Sequence, residues 1–174
     1  MKHLLFAASL IALTACGNSN SNAPNYEFDI ITNDRSKIGT IALTETDAGV
    51  VATINATGIS PGEHGMHFHV KADCSSADFK SAGGHINIGG HEHGLNNPHG
   101  PDNADMPNAV ANADGVVSMT VTNPRVTLGP TRGDIATLFD EDGSSLMIHV
   151  HPDDGITQPI GGAGPRIGCA EIKK

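Results

Sequence analysis

VVATINAT, residues 50–57, alternates Val50, Ala52, Ile54 and Ala56 with Val51, Thr53, Asn55 and Thr57. A period of two puts successive side chains on opposite faces of an extended chain, and the β-branched content suits a half-buried strand. Turn chemistry brackets the run, with Asp47-Ala48-Gly49 before it and Ser60-Pro61-Gly62 after it. The rhythm recurs along the chain. Ile41 and Leu43 sit among Thr40, Ala42 and Thr44; Met66, Phe68 and Val70 alternate with His67 and His69. Val117, Met119 and Val121 alternate with Ser118, Thr120 and Thr122, and Leu146, Ile148 and Val150 with Met147, His149 and His151. Asp114-Gly115 and Asp142-Gly143 add turns, and no stretch carries a long 3.6-residue period. The sequence predicts an all-β antiparallel sandwich or flattened barrel, one domain over residues 26–174.

Composition agrees. Within 174 residues, 21 Gly and 10 Pro suit short strands joined by many turns. Ten Lys and Arg against 19 Asp and Glu give a net charge of −9, which excludes an ordinary nucleic-acid footprint. Residues 1–15 read as a signal peptide: a polar start at Lys2 and His3, an apolar run from Leu4 to Leu13, then Thr14-Ala15. The run is too short to span a bilayer as a helix. Leu13-Thr14-Ala15-Cys16 resembles a bacterial lipobox, which makes Cys16 a lipidated first residue and residues 16–25 a flexible tether; the alternative is an ordinary signal peptide with a chance Cys. The protein is then exported, periplasmic and in contact with membrane only through its lipid. Without the leader it carries nine basic and 19 acidic residues, a net of −10. Cys74 and Cys169 remain as a pair that an oxidising compartment would join, two free thiols being the alternative.

One region breaks the rhythm. Residues 73–113 are dense in Gly, Asn, His, Pro and Asp, and so long a loop needs something to organise it. Nine of the ten His fall between His64 and His151. His67 and His69 share one face of a strand, His149 lies on another strand, and His85 enters from the loop. Four imidazoles in a roughly square arrangement suit Cu(II).

These residues resemble a known family. Gly62-Glu63-His64-Gly65-Met66-His67-Phe68-His69 looks like the copper-binding signature of copper/zinc superoxide dismutases. Ser81-Ala82-Gly83-Gly84-His85 is similar to the segment carrying the metal-bridging His, and Leu146-Met147-Ile148-His149 to the strand with the last copper ligand. Gly164-Pro165-Arg166-Ile167-Gly168-Cys169 is similar to the segment with the substrate-guiding Arg and the second disulfide Cys. The resemblance spans about residues 38–172. It implies a Greek-key, immunoglobulin-like sandwich that dismutes superoxide with copper and zinc.

Carried over, it assigns copper to His67, His69, His85 and His149, and zinc to His85, His93 and Asp105. Asp153 aligns with a carboxylate that ties a copper His to a zinc His, with Asp154 beside it as the other option. Arg166 would guide the anion and His85 would carry a proton. The third zinc His is missing: the family has Gly-Pro-His, this chain Gly100-Pro101-Asp102. Three readings stay open. Asp102 binds zinc itself, His91 or His99 takes the position, or the zinc site is weakened. His64 reads as a loop tie, and His99 and His151 as exposed bystanders. A competing function is an exported copper-binding or copper-delivery protein on the same scaffold. A homodimer is left open.

Overall fold

The computed structural model describes residues 25–174; the leader, Cys16 and most of the tether lie outside the described residues. Eleven strands run β1 (Asn25–Ile31), β2 (Lys37–Thr46), β3 (Gly49–Ala56), β4 (Gly62–His64), β5 (Met66–His69), β6 (Ala109–Ala111), β7 (Val117–Asn123), β8 (Val126–Thr127), β9 (Ala136–Thr137), β10 (Ser144–His149) and β11 (Arg166–Ile172). Nine form one antiparallel sheet in the order β4-β6-β7-β3-β2-β1-β11-β10-β5, and β8 and β9 form a short parallel pair. A single 3-10 turn, Lys80–Ala82, is the only helical element among the described residues. The chain leaves β3, builds β4 and β5 at the two margins of the sheet, and returns at β7 beside β3.

Those margins meet at one residue. Gly65 separates β4 from β5, donates its N–H to the His151 carbonyl at 2.8 Å and accepts the His149 N–H at 2.9 Å. The sheet thereby curls into a nearly closed barrel, which hides its edges. A Cβ at Gly65 would stand 2.6 Å from the Ala163 Cβ, so the position needs glycine.

Period-two burial fills the barrel. Ile41, Leu43, Val50, Ile54, Phe68, Leu146 and Ile148 are fully buried in one core. β5 and β10 differ from the other strands of the nine-stranded sheet because every residue in them is buried. Met66, Phe68, Leu146 and Ile148 belong to the core, whereas Met147 packs with Cys74, Phe79, Ala82 and Cys169 in a second cluster. The long loop covers the outer face. It is pinned by Val70 N–H to the Gly84 carbonyl at 3.0 Å, Ile86 N–H to the Phe68 carbonyl at 3.1 Å, and Ala104 N–H to the Ile86 carbonyl at 3.1 Å. The Cys74–Cys169 disulfide ties it to β11. The loop ends earlier than the sequence predicts, because Ala109–Ala111 pair with Gly62–His64 as β6.

Candidate metal centre

Alternation on β5 turns His67 and His69 away from the core and beneath the loop. His67 pairs with Met147 of β10, two residues before His149. Isolated bridges set the loop against β5, joining His67 to Asp105 and His69 to His85. Ring centroids lie 4.3 Å apart for His67 and His85, 5.1 Å for His67 and His149, 5.2 Å for His69 and His85, and 5.3 Å for His85 and His93.

Each outer nitrogen has a partner. His69 Nδ1 donates to the Gly83 carbonyl at 2.9 Å and His149 Nδ1 to the Gly164 carbonyl at 2.8 Å. His67 Nε2 donates to Asp153 Oδ2 at 2.7 Å. Because carbonyls and carboxylates only accept, the N–H faces outward and the lone pair of the other nitrogen faces in. His85 Nδ1 sits 3.0 Å from Asp102 Oδ2, and His93 Nδ1 sits 2.6 Å from Asp105 Oδ1 without hydrogen-bond alignment.

Seven buried side-chain polar atoms lack a hydrogen-bond partner among the described residues. Six are His67 Nδ1, His69 Nε2, His85 Nε2, His149 Nε2, His93 Nδ1 and Asp105 Oδ1. Buried polar groups are ordinarily satisfied, so six orphans pointing into one region fit metal ligands. His67, His69 and His149 bring ligand atoms within 4.8 Å of one another, and so do His85, His93, Asp102 and Asp105. The donor chemistry differs between the two sets. Imidazoles alone suit copper, and mixed nitrogen and carboxylate oxygen suit zinc.

The electrostatics follow from burial and pairing. Burial holds His67 below the ordinary range, takes His69 down to about 2 with the Arg166 charge assisting, and takes His149 to about 4. Burial also opposes charge on His93, yet Asp105 and Asp153 raise it to about 10. Asp153 is drawn well below the carboxylate range despite its burial, through bonds from His67 and His93.

A family profile described as copper/zinc superoxide dismutase (SODC) matches residues 37–172. The chain belongs to the copper/zinc superoxide dismutase family. With that family come an oxidoreductase activity and the use of copper and zinc. The superoxide dismutase [Cu-Zn] of Caulobacter vibrioides is 45% identical over 141 residues, 80% of each chain. Superoxide dismutase [Cu-Zn] 2 of Aquifex aeolicus is 39% identical over 170 residues, 97% of this chain and 96% of the relative. The crystal structure of a double mutant of a SOD-like protein from Bacillus subtilis superposes with a TM-score of 0.80 at 36% identity, covering 85% of this chain and 97% of that one.

The other sequence-stated residues sort by contact. Asp153 alone reaches both sets, with Oδ1 3.1 Å from His93 Nε2; Asp154 accepts from Ile156 N–H, Thr157 N–H and the Thr157 hydroxyl instead. Arg166 Nη1 and Nη2 donate to the Phe79 and Gly83 carbonyls, each at 2.6 Å. Arg166 lines a cavity of about 720 Å³ with His149, Lys80 and Pro165. His64 is buried, and its two ring nitrogens lie 2.7 Å from the His149 carbonyl and 2.8 Å from the Ser60 carbonyl. His91, His99 and His151 are exposed and stand outside both ligand sets. Gly94 follows His93 at φ +119°, where a Cβ would collide with the Gly155 carbonyl.

Three residues escaped the sequence reading. Gln158 clamps His93, accepting its N–H at 3.0 Å and donating to its carbonyl at 2.8 Å. Buried Asn103 donates to the Arg125 and Asp134 carbonyls at 2.8 and 2.6 Å. Arg125 in turn donates to the carbonyls of Asp102 and Asp105. A turn or loop composition carries no signal for such ties.

Proposed function

We propose that the protein dismutes superoxide, converting two O₂•⁻ and two protons to O₂ and hydrogen peroxide. His67, His69, His85 and His149 would hold copper, and His85, His93, Asp102 and Asp105 would hold zinc. The six orphaned ligand atoms carry this reading. Bound there, copper supplies one-electron chemistry by alternating between Cu(II) and Cu(I).

The residues supply the rest. His85 stands between the sets, its ring beside those of His67 and His69, with Nδ1 toward Asp102 and Nε2 buried and unpartnered. In turnover that imidazole would hold a proton at Nε2 and deliver it to the reduced oxygen species. Arg166 stays charged and, with His149, flanks the cavity, so it draws and orients the anion. Asp153 fixes the tautomers of His67 and His93. Support for Asp102 as a ligand is its fixed rotamer: Oδ1 accepts from Ala104 and Asp105 N–H at 2.9 and 3.1 Å, leaving Oδ2 toward His85. His91 and His99 are exposed, which favours Asp102 over either.

The lipobox-like Leu13-Thr14-Ala15-Cys16 supports an exported protein tethered by lipid at Cys16, and the disulfide suits an oxidising compartment. The test is superoxide consumption by the copper- and zinc-loaded protein beside Arg166→Ala. Rapid turnover that drops about tenfold or more in the variant is expected. Tight copper binding without dismutation would favour copper delivery instead.

A further inference from the structure

Arg125 follows β7 and belongs to neither ligand set, yet it touches the backbone of both carboxylate residues. Its Nε donates to the Asp102 carbonyl at 2.9 Å and its Nη2 to the Asp105 carbonyl at 2.5 Å. The Arg125 backbone is itself anchored. Arg125 N–H donates to Asn123 Oδ1 at 2.9 Å, and the Arg125 carbonyl accepts from Asn103 Nδ2 at 2.8 Å and Ala136 N–H at 3.1 Å. Asn123 Nδ2 closes the clasp on the Asn103 carbonyl at 2.9 Å. Burial pushes the Arg125 pKa down while the charges of Asp105 and Asp102 hold it up, so the cation lies within electrostatic reach of both carboxylates.

Those carboxylates are the physical problem of this site. Asp102 and Asp105 are buried at 2% and 1% exposure, and their oxygens share one cluster. Two buried like charges repel and are costly unless a counter-charge is near. Asp105 has His93 at 2.6 Å, and Asp102 has His85 at 3.0 Å, but these imidazoles must present lone pairs to a metal and cannot remain cations when it binds. A guanidinium does not titrate away and holds planar, forked geometry.

We propose that Arg125 is a positioning residue of the zinc pocket: it balances the second carboxylate introduced at Asp102 and fixes both acid residues through their carbonyls. The inference rests on Asp102 being a zinc ligand. It makes Arg125 and Asp102 one device, so that the need for the cation depends on which side chain stands at 102.

The experiment measures zinc affinity, by competition with a chromophoric chelator, for the full protein stripped of metal and titrated with zinc alone. R125Q is expected to weaken zinc about tenfold or more, in the range of lost supporting contacts to a metal ligand. R125K keeps the charge, loses the fork and should fall between. In a D102H background only the carbonyl contacts are left to lose, and R125Q should weaken zinc clearly less, by about threefold or under. Equal losses from R125Q in the Asp102 and D102H backgrounds would overturn the proposal, leaving Arg125 a backbone clamp only. So would an unchanged affinity in R125Q. D102A separates the two levels: unaltered zinc binding in D102A would remove Asp102 from the ligand set, whereas weakened binding in D102A with no coupling to Arg125 would sink the Arg125 inference alone.

Discussion

Asp153 connects the two ligand sets through a single carboxylate, one oxygen on His67 and the other on His93. Replacing it by Asn leaves its shape but removes the acceptor charge. Asp153→Asn is therefore expected to lower zinc affinity by about 10–100-fold, measured by chelator competition. Titration of the metal-free protein gives a second expectation. His69 and His149 are held at about 2 and about 4, below the ordinary 6.5, so the unfolded chain binds protons that the folded chain refuses. Their contribution to stability is lost as pH falls from about 6.5 toward 4. His93 runs the other way: raised to about 10, it stabilises fully below 6.5 and its contribution disappears as pH rises through 10. The thermal midpoint of stripped protein should peak near neutrality and fall on both sides; a flat profile from pH 4 to 7 would contradict the buried neutral imidazoles. At this scale the histidines were legible because alternation on a strand assigns them to one face. Asp102 was legible by its register. Arg125 was not, since its role depends on carbonyls some twenty residues away that only the fold brings near.

Strands with one covered face, such as β3, announce themselves by alternating burial, and β3 was read directly from VVATINAT. β6 did not, because Ala109-Val110-Ala111 is three residues long and acquires meaning only by pairing with β4. β5 and β10 show why the site needs chain outside the sheet: His69 is covered at Gly83, His67 at Asp105 and Asp153, and His149 at Gly164. The disulfide anchors that loop beside the carbonyls that hold Arg166. Loop residues Cys74, Phe79 and Ala82 pack with Met147 and Cys169, and Arg166 bonds to the Phe79 and Gly83 carbonyls. Cys74→Ser with Cys169→Ser is expected to cost about 2–5 kcal/mol in urea unfolding. A loss under about 1 kcal/mol would mean the loop is held by its backbone bonds alone.

The whole molecule sets a net charge of −9 against an anionic substrate. Fields from distant charges fade beyond a Debye length of about 8–10 Å; at the cavity Lys80 is paired with Asp78 at 2.9 Å, which leaves Arg166 as the cation that faces the anion. Turnover by the loaded protein should therefore fall as ionic strength rises, and the Arg166→Ala variant should lose most of that dependence. The fold and the gathering of the histidines under one loop could be read from the sequence; the contacts of Arg125 with the Asp102 and Asp105 carbonyls could not, because they join distant segments. The most direct test of the two-metal centre is anomalous diffraction at the copper and zinc absorption edges from crystals of the loaded protein. A copper peak is expected on His67 Nδ1 and the Nε2 atoms of His69, His85 and His149, and a separate zinc peak on the far side of His85 with His93, Asp102 and Asp105. A single metal peak, or zinc held by His91 or His99 with Asp102 turned away, would contradict that centre.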